Sequence, residues 1–352
     1  MKDKIHLIAG SYATGKNNGI YIYRFDQNTG ESEFVSKTDV DNPSYHVFSK
    51  DGQFLYAVLE NEEAPSYVNI FTYDRKEESL TQIDSVISGD KGSCYVTIDK
   101  DNKHVLTANY GGGSISVFDL DDNGQFYKMS QLIVFKGQGV HPERQNMPHI
   151  HCVEFSPDNK YLFATDLGTD KIYQMKINYD CRECETDFVI YETVKFAKVA
   201  DGSGPRHIVF HPNGEYLYLI NELSDTVVVF SYDGKNISQI QEIPAITNDA
   251  GGGGDIVITP DGKYLYGSVR LKDDGIAIFK VHPDNGTLEK IGYQLSGEHP
   301  RNLRITPNGK YLLASCRDSD VIEVYRINNK NGLLEKTENS IAIEKPSCIK
   351  FL

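Results

Sequence analysis

The sequence predicts an all-β fold, a seven-bladed β-propeller with four antiparallel strands per blade. Three observations carry that reading. A unit of roughly 50 residues recurs along the chain, and each copy holds an Asp/Asn-Gly/Asn turn at the same internal place. No stretch shows the 3.6-residue apolar spacing of an amphipathic helix.

Each unit starts with a short apolar stretch and passes through the turn into an aromatic-Leu pair. Phe48-Ser49-Lys50-Asp51-Gly52-Gln53-Phe54-Leu55-Tyr56 is one copy, and Ile258-Thr259-Pro260-Asp261-Gly262-Lys263-Tyr264-Leu265-Tyr266 is another. The turn Asp or Asn falls at 51, 101, 158, 213, 261 and 308, in steps of 50, 57, 55, 48 and 47. A turn of this kind between two apolar runs predicts a hairpin, because both residues tolerate positive φ. Alternating segments such as Val68–Tyr73 and Ile115–Leu120 supply a third strand, and weaker ones such as Leu80–Asp84 a fourth.

Six full units leave a remainder at each end. Ile5–Gly10 reads as a second strand and Gly19–Phe25 as a third, while 346–352 copies the opening of a unit. The C-terminal segment is therefore expected to complete the N-terminal blade and remove an exposed edge. Residues 1–352 then make a single propeller domain.

Composition narrows the function. Against 36 Lys+Arg stand 50 Asp+Glu, a net charge of −14, which argues against nucleic acid or an anionic membrane as partner. No apolar run is long enough to span a bilayer, and the N-terminus lacks the apolar core of an export signal, so a cytoplasmic location is expected. Of six cysteines, Cys94, Cys152, Cys316 and Cys348 sit in apolar segments as small hydrophobes. Cys181-Arg182-Glu183-Cys184 is a lone CxxC without the second pair that structural zinc needs, and reads as a surface turn.

The start of a blade's first strand and the end of its second lie on one face of a propeller, so repeat alignment predicts a site. Four residues before the aligned Phe/Ile stand Ser44, Cys94, His151, Arg206, Gly254 and Arg301, with Ser347 from the closing strand. Nine residues after the turn stand Glu60, Tyr110, Leu167, Glu222, Arg270 and Arg317, with Tyr12 the nearest match in the first unit. Four of the ten arginines fall on these two rings. Guanidinium forks match carboxylate and phosphate, so an anionic small molecule is the expected ligand. His151 and Glu222 add a proton carrier of each type, and His149 lies two residues before His151, at the rim.

Blander readings exist for single residues. Arg206 and Glu222 could pair as an ion bridge stitching one blade, and His151 could be a hydrogen-bonded interior histidine. His149 and His151 alternate along a strand and so should face apart, which disfavours a shared metal. Gly251-Gly252-Gly253-Gly254 precedes a strand and lacks a Lys-Ser/Thr, so it is no phosphate loop. It is expected to let the chain approach closely without side-chain bulk. Gly111-Gly112-Gly113 reads as a hairpin connection, and His207 and His211 as packing or surface residues.

Pro148-His149-Ile150-His151, Gly204-Pro205-Arg206-His207 and Asn221-Glu222-Leu223 resemble the seven-bladed propeller lactonase family, over essentially the whole chain. The resemblance implies catalytic roles for His151, Arg206, Glu222 and Arg270. It also implies hydrolysis of 6-phospho-D-glucono-1,5-lactone to 6-phosphogluconate, a pentose phosphate pathway step, without a cofactor. Arg301 and Arg317 are then the candidates for the phosphate, and His149 and Glu60 for further substrate contacts. No G-x-S-x-G elbow or other covalent nucleophile is evident. Two rivals follow: a muconate-type lactonizing cycloisomerase, and a non-catalytic scaffold, which the lack of any Trp and hence of a WD dipeptide disfavours. A monomer or weak homodimer is expected, and the stretches 137–147 and 178–203 read as long loops of unassigned role.

Overall fold

The computed structural model describes residues 4–13, 15–181, 186–247 and 251–352. Among them are seven four-stranded antiparallel sheets. The first has the order Pro346–Phe351, Lys4–Ser11, Ile20–Asp26, Ser32–Thr38, so the C-terminal strand does pair with the N-terminal one. The other six each use four consecutive strands, beginning at Pro43, Ser93, Ile150, Pro205, Gly253 and Pro300.

These sheets fall into two compact units. One comprises Met1–Pro43, Lys76–Ser79 and His207–Leu352, and the other Ser44–Arg75 and Leu80–Arg206. In the first, Glu78 explains why so short a segment belongs there. Its Oε1 accepts from Arg24 Nε at 3.0 Å and lies 2.6 Å from His6 Nε2. Ile220, Val227, Leu265 and Phe279, all fully buried, pack its fifth sheet on its sixth.

The repeated turn differs from a two-residue hairpin. Five residues, such as Ser49–Gln53, connect the first and second strands. Only the second turn residue takes positive φ, at Gly52 (67°), Asn102 (55°), Asn159 (58°), Gly214 (76°), Gly262 (73°) and Gly309 (71°). In four copies the Asp or Asn instead anchors the loop through its side chain, accepting from the Ser or Thr two residues earlier: Ser49→Asp51 at 2.5 Å, Ser156→Asp158 and Thr259→Asp261 at 2.7 Å, Thr306→Asn308 at 2.8 Å. Asp and Asn are thus chosen as acceptors here, and Gly or Asn for its backbone freedom.

A second repeated contact joins neighbouring sheets. The Tyr after the aromatic-Leu pair donates its hydroxyl to a glycine carbonyl in the next sheet's outer hairpin. The bonds are Tyr56→Gly124 (2.8 Å) in one unit, and Tyr218→Gly286 (3.0 Å) and Tyr266→Gly332 (2.8 Å) in the other. The aromatic two residues before that Tyr lies flush on the same glycine. A Cβ at Gly286 would fall 2.4 Å from the Tyr216 ring, and one at Gly332 would fall 2.2 Å from Tyr264.

Two expectations need correction. The stretch 178–203 is not one loop, since Val189–Lys198 forms the fourth strand of the fourth sheet. Its exposed, charge-rich sequence hid the alternation that pairing imposes. Cys181 is not on a surface turn either: it is 6% exposed, with Sγ 3.6 Å from His104 Nε2. Arg182, Glu183 and Cys184 lie outside the described residues. The other cysteines are buried as expected, as is His207, whose Nδ1 meets Asp255 at 2.8 Å. Among the described residues no helix is long and apolar enough to cross a membrane.

Candidate functional site

Five of the seven positions of the first ring share a backbone feature that the repeat pattern does not display. In the third, fourth and seventh sheets the register of the first strand on the second skips one residue, which is Cys94, His151 and Arg301 respectively. The sixth sheet slips within Gly253–Ile256, and the first slips where Ser347 stands. A bulge leaves its extra residue unpaired and re-aims its side chain. The same device, at the same repeat step, therefore presents these side chains.

In the unit holding the second to fourth sheets, His151 is 6% exposed and Arg206 2%. Cys94 Sγ lies 3.8 Å from His151 Nδ1, and the Arg206 carbonyl accepts from Thr165 Oγ1 at 2.6 Å. Tyr110 is the organising ring. His149 stacks on it at 4.4 Å between centroids and 19°, donating Nδ1–H to the Tyr110 carbonyl at 2.9 Å. His151 meets the same ring edge-on at 5.4 Å. The two histidines are thus not parted as strand alternation requires, because His149 precedes the strand and His151 is its bulge.

The segment 137–147 reaches this cluster. Gln145, almost fully buried, accepts from the Val140 and His141 amides at 3.1 and 3.0 Å, and donates to the Leu167 carbonyl and Asp170, each at 2.8 Å. That tether brings Arg144 Nη2 within 3.3 Å of the Tyr110 hydroxyl. Glu60 is half-buried, one residue past its strand.

In the other unit, Arg270 is 4% exposed and fixed from three sides. Its Nε donates to the Gly252 carbonyl at 3.0 Å and its Nη2 to the Gly253 carbonyl at 2.9 Å. Nη2 also pairs with Glu222 Oε2 at 3.1 Å, and Nη1 donates to His299 Nε2 at 3.2 Å. The glycine run makes this possible. A Cβ on Gly252 would fall 2.1 Å from the Arg270 carbonyl oxygen, and one on Gly253 would fall 2.0 Å from that of Asn221.

His299 adopts φ 58°, where the matching positions of two other sheets carry Gly92 (65°) and Gly204 (67°). Left-handed backbone is rare for histidine and points to a role for the side chain. Burial, and then the charges of Arg270, Arg317 and Arg301, push its pKa down to about 3, against the opposing pull of Asp318. The ring is therefore neutral at physiological pH: Nδ1–H faces Asp318 at 3.3 Å and Nε2 accepts from Arg270. Arg301 Nη2 donates to the Tyr12 hydroxyl at 2.6 Å, and its guanidinium lies over that ring at 4.8 Å. Arg317 is engaged by Asp318 through two bonds of 2.7 and 2.8 Å.

Tyr110 stands on the second ring of the repeat alignment without an assigned role, and three contributors were not singled out from the sequence as site residues: Arg144, His299 and Asp318. For His299 a partial signal existed, since it stands where two other copies place a left-handed glycine, while Asn42 (47°) and Lys345 (46°) hold the same backbone in two more. Arg144 sits in an irregular segment that the repeat does not align. Among the described residues, no three or more His, Cys, Asp or Glu gather as metal ligands.

Comparison with known proteins adds four findings. The family model for lactonases with a 7-bladed β-propeller matches residues 6–351. A 6-phosphogluconolactonase of Formosa agariphila is 34% identical, over 98% of this chain and 99% of its own. Among solved structures, a candidate 6-phosphogluconolactonase of Bacteroides fragilis is 45% identical with TM-score 0.95, covering 99% of this chain and 98% of that one. The periplasmic gluconolactonase of Pseudomonas aeruginosa is 29% identical with TM-score 0.90, covering 99% of both.

Proposed function

Since the chain belongs to the lactonase family of seven-bladed β-propellers, we propose that it hydrolyses 6-phospho-D-glucono-1,5-lactone to 6-phosphogluconate. The observation that carries this reading is the buried Arg270 clamp. Three arginines (Arg270, Arg301, Arg317) gather about a neutral histidine, with Glu222, Asp274 and Asp318 as its neighbouring carboxylates. In a chain of net charge −14, three guanidinium groups brought together suit an anionic substrate, since their forks match carboxylate and phosphate.

Lactone hydrolysis needs an activated water, a stabilised oxyanion and a proton for the departing ring oxygen. Arg270 is assigned to the developing oxyanion, because a guanidinium already held on three sides needs no reorganisation when charge appears. Glu222 and His299 position it. By repeat register Arg206 is assigned a second share of the carbonyl charge, and His151 the proton traffic. His151 is preferred to Glu222 for that task because the Glu222 carboxylate is already engaged by Arg270 at 3.1 Å. Arg301, oriented by Tyr12, is assigned to the phosphate. His149, Glu60 and Arg317 are assigned to the remaining substrate contacts.

Phosphorylated sugars do not leave a membrane-bounded compartment, so this reading carries a cytoplasmic location with it. The protein would act as a monomer or weak homodimer. A second reading, hydrolysis of the unphosphorylated lactone, is favoured by the Arg317–Asp318 pair, which consumes one of the two arginines meant for phosphate.

Freshly generated lactones, assayed with correction for spontaneous hydrolysis, separate the readings. Arg206→Ala and Arg270→Ala should each lower kcat/KM by roughly a hundred- to thousandfold, as loss of an oxyanion donor does, with the fold intact. Arg301→Ala should raise KM for the phosphorylated lactone and spare gluconolactone. Normal kinetics of all three variants on every lactone, a muconate-type one included, would overturn the assignment.

A further inference from the structure

The unit holding the second to fourth sheets contains a second set of chemistry-bearing groups that the proposed reaction does not use. Asp99 is fully buried, and its Oδ1 accepts the backbone N–H groups of Lys103 (2.7 Å) and His104 (3.2 Å). Its Oδ2 lies 2.8 Å from His104 Nδ1. An acceptor-only carboxylate there places the imidazole proton on Nδ1 and turns the Nε2 lone pair outward. That lone pair faces Cys181 Sγ at 3.6 Å. Phe188 stacks on the imidazole at 3.7 Å and 11°, so the ring cannot turn away. The order carboxylate, imidazole, thiol is the activation logic of a nucleophilic cysteine.

The surroundings favour separated charge. Asp119 Oδ1 is 3.8 Å from His104 Nε2 and would stabilise an imidazolium. The groups facing the pair from adjacent elements are Asp119 with Lys128 at 3.6 Å, and Lys100, which lies over the Tyr179 ring. Cys181 opens on a cleft of about 750 Å³ whose wall includes Asp119, Asp121, Asp122 and Asp187 against Lys128. Among the described residues these four carboxylates outnumber the ammonium groups beside them, Lys128 and the Lys103 that pairs with Asp122 at 2.5 Å, which disfavours anions relative to neutral or cationic molecules.

We propose that Cys181 is a reactive thiol, activated by Asp99 and His104, that undergoes exchange with small neutral or cationic disulfides entering this acidic cleft. The Cys181 proton passes to His104 Nε2, giving thiolate and imidazolium. The thiolate attacks one sulfur of the disulfide, so a new S–S bond forms as the old one breaks. The departing thiolate takes the proton from His104. The Cys181 sulfur is oxidised and the leaving sulfur reduced, with no other reactant. The chain then carries a small mixed disulfide that any free thiol reverses.

The test uses the full chain with Cys184→Ser, so that the other thiol of the CxxC cannot displace the adduct. Cystamine is the probe, a maleimide the quench, and trypsin the mapping step, since residues 177–182 form one tryptic peptide. At pH 6 the 177–182 segment of the folded protein should gain one cysteamine about fivefold faster than the same free peptide. That factor weighs proton transfer to His104 against the weaker intrinsic nucleophilicity of an activated thiolate. A dicarboxylate disulfide should react more slowly than cystamine, and His104→Gln should erase the advantage at pH 6. Cys181→Ser should abolish the adduct and leave lactone turnover unchanged. An unlabelled 177–182 segment in the folded protein would overturn the proposal. So would a rate no faster than the free peptide at pH 6, a result that stands whether or not His104→Gln folds.

Discussion

A histidine with φ 58° whose ring nitrogens both have partners carries two separable consequences. One is kinetic. His299 holds one edge of the Arg270 guanidinium, so losing its acceptor should let that group drift without removing its charge. His299→Asn keeps a residue that tolerates left-handed backbone but is too short to reach Arg270. It should lower kcat about ten- to hundredfold, the scale of an ångström of misplacement, with KM nearly unchanged. The other consequence is thermodynamic. The pKa is 6.5 in the unfolded reference and about 3 in the fold. Between those values the unfolded chain binds a proton that the folded chain does not, so stability falls as pH drops through that window. Melting temperature plotted against pH should therefore be flatter for His299→Asn than for the parent between pH 6.5 and 5. Glu78 does not obscure this, because Arg24 and then His6 hold its carboxyl down from 4.5 to about 2, and its contribution is lost only in more acid solution. Parallel curves would refute the ionisation argument and leave the kinetic one standing. The same residue marks the limit of sequence reading. Arg270 and Glu222, which pair at 3.1 Å, were legible because the repeat aligns them, whereas His299 precedes the aligned segment and Arg144 arrives on a stretch with no counterpart in other copies.

At the scale of the element, the strands were legible because each answers to a local rule, alternation between turn residues. Two features were not. A bulge adds one residue to one strand without disturbing the pattern on either side of it, so pairing at Cys94, His151 and Arg301 can be known only from the partner strand. Contacts between sheets were equally hidden, since the Tyr of one unit finds its glycine some 66 to 68 residues downstream. Those contacts make a sharp prediction. Tyr266→Phe keeps the ring and leaves the buried Gly332 carbonyl without its donor, which should cost about 1–2 kcal/mol. Gly332→Ala should cost more, about 2 kcal/mol or above, because φ there is 74° and the new methyl would fall 2.2 Å from the Tyr264 ring. Thermal and denaturant unfolding of the two variants should rank them in that order. The reverse order would mean that the hydroxyl, rather than the close glycine–aromatic approach, dominates the joint between sheets.

For the whole molecule, the question is what the last strand contributes beyond its own burial. Pro346–Phe351 is the only strand of its sheet drawn from the far end of the chain. Ile349 is fully buried, Phe351 packs on Phe25 at 5.6 Å, and the Ile349 amide donates to Asn302 Oδ1 at 2.7 Å. His6 and Leu352 exchange backbone bonds of 3.2 and 2.9 Å. Deleting residues 346–352 would therefore uncover the edge of Lys4–Ser11, where Leu7, Ile8 and Ala9 are fully buried. An apolar side chain is worth about 1.5–3 kcal/mol when buried, and an open apolar edge invites pairing with another chain. The truncated protein should thus melt about 10 °C lower or more, and should scatter light at concentrations where the intact chain stays clear. A synthetic peptide of residues 344–352 added in trans should recover part of the loss, because it restores the same hydrogen-bond ladder at the cost of association. Equal melting of the truncated and intact chains would show that the first sheet is stable with three strands, and that its N-terminal edge is protected by something other than the C-terminus.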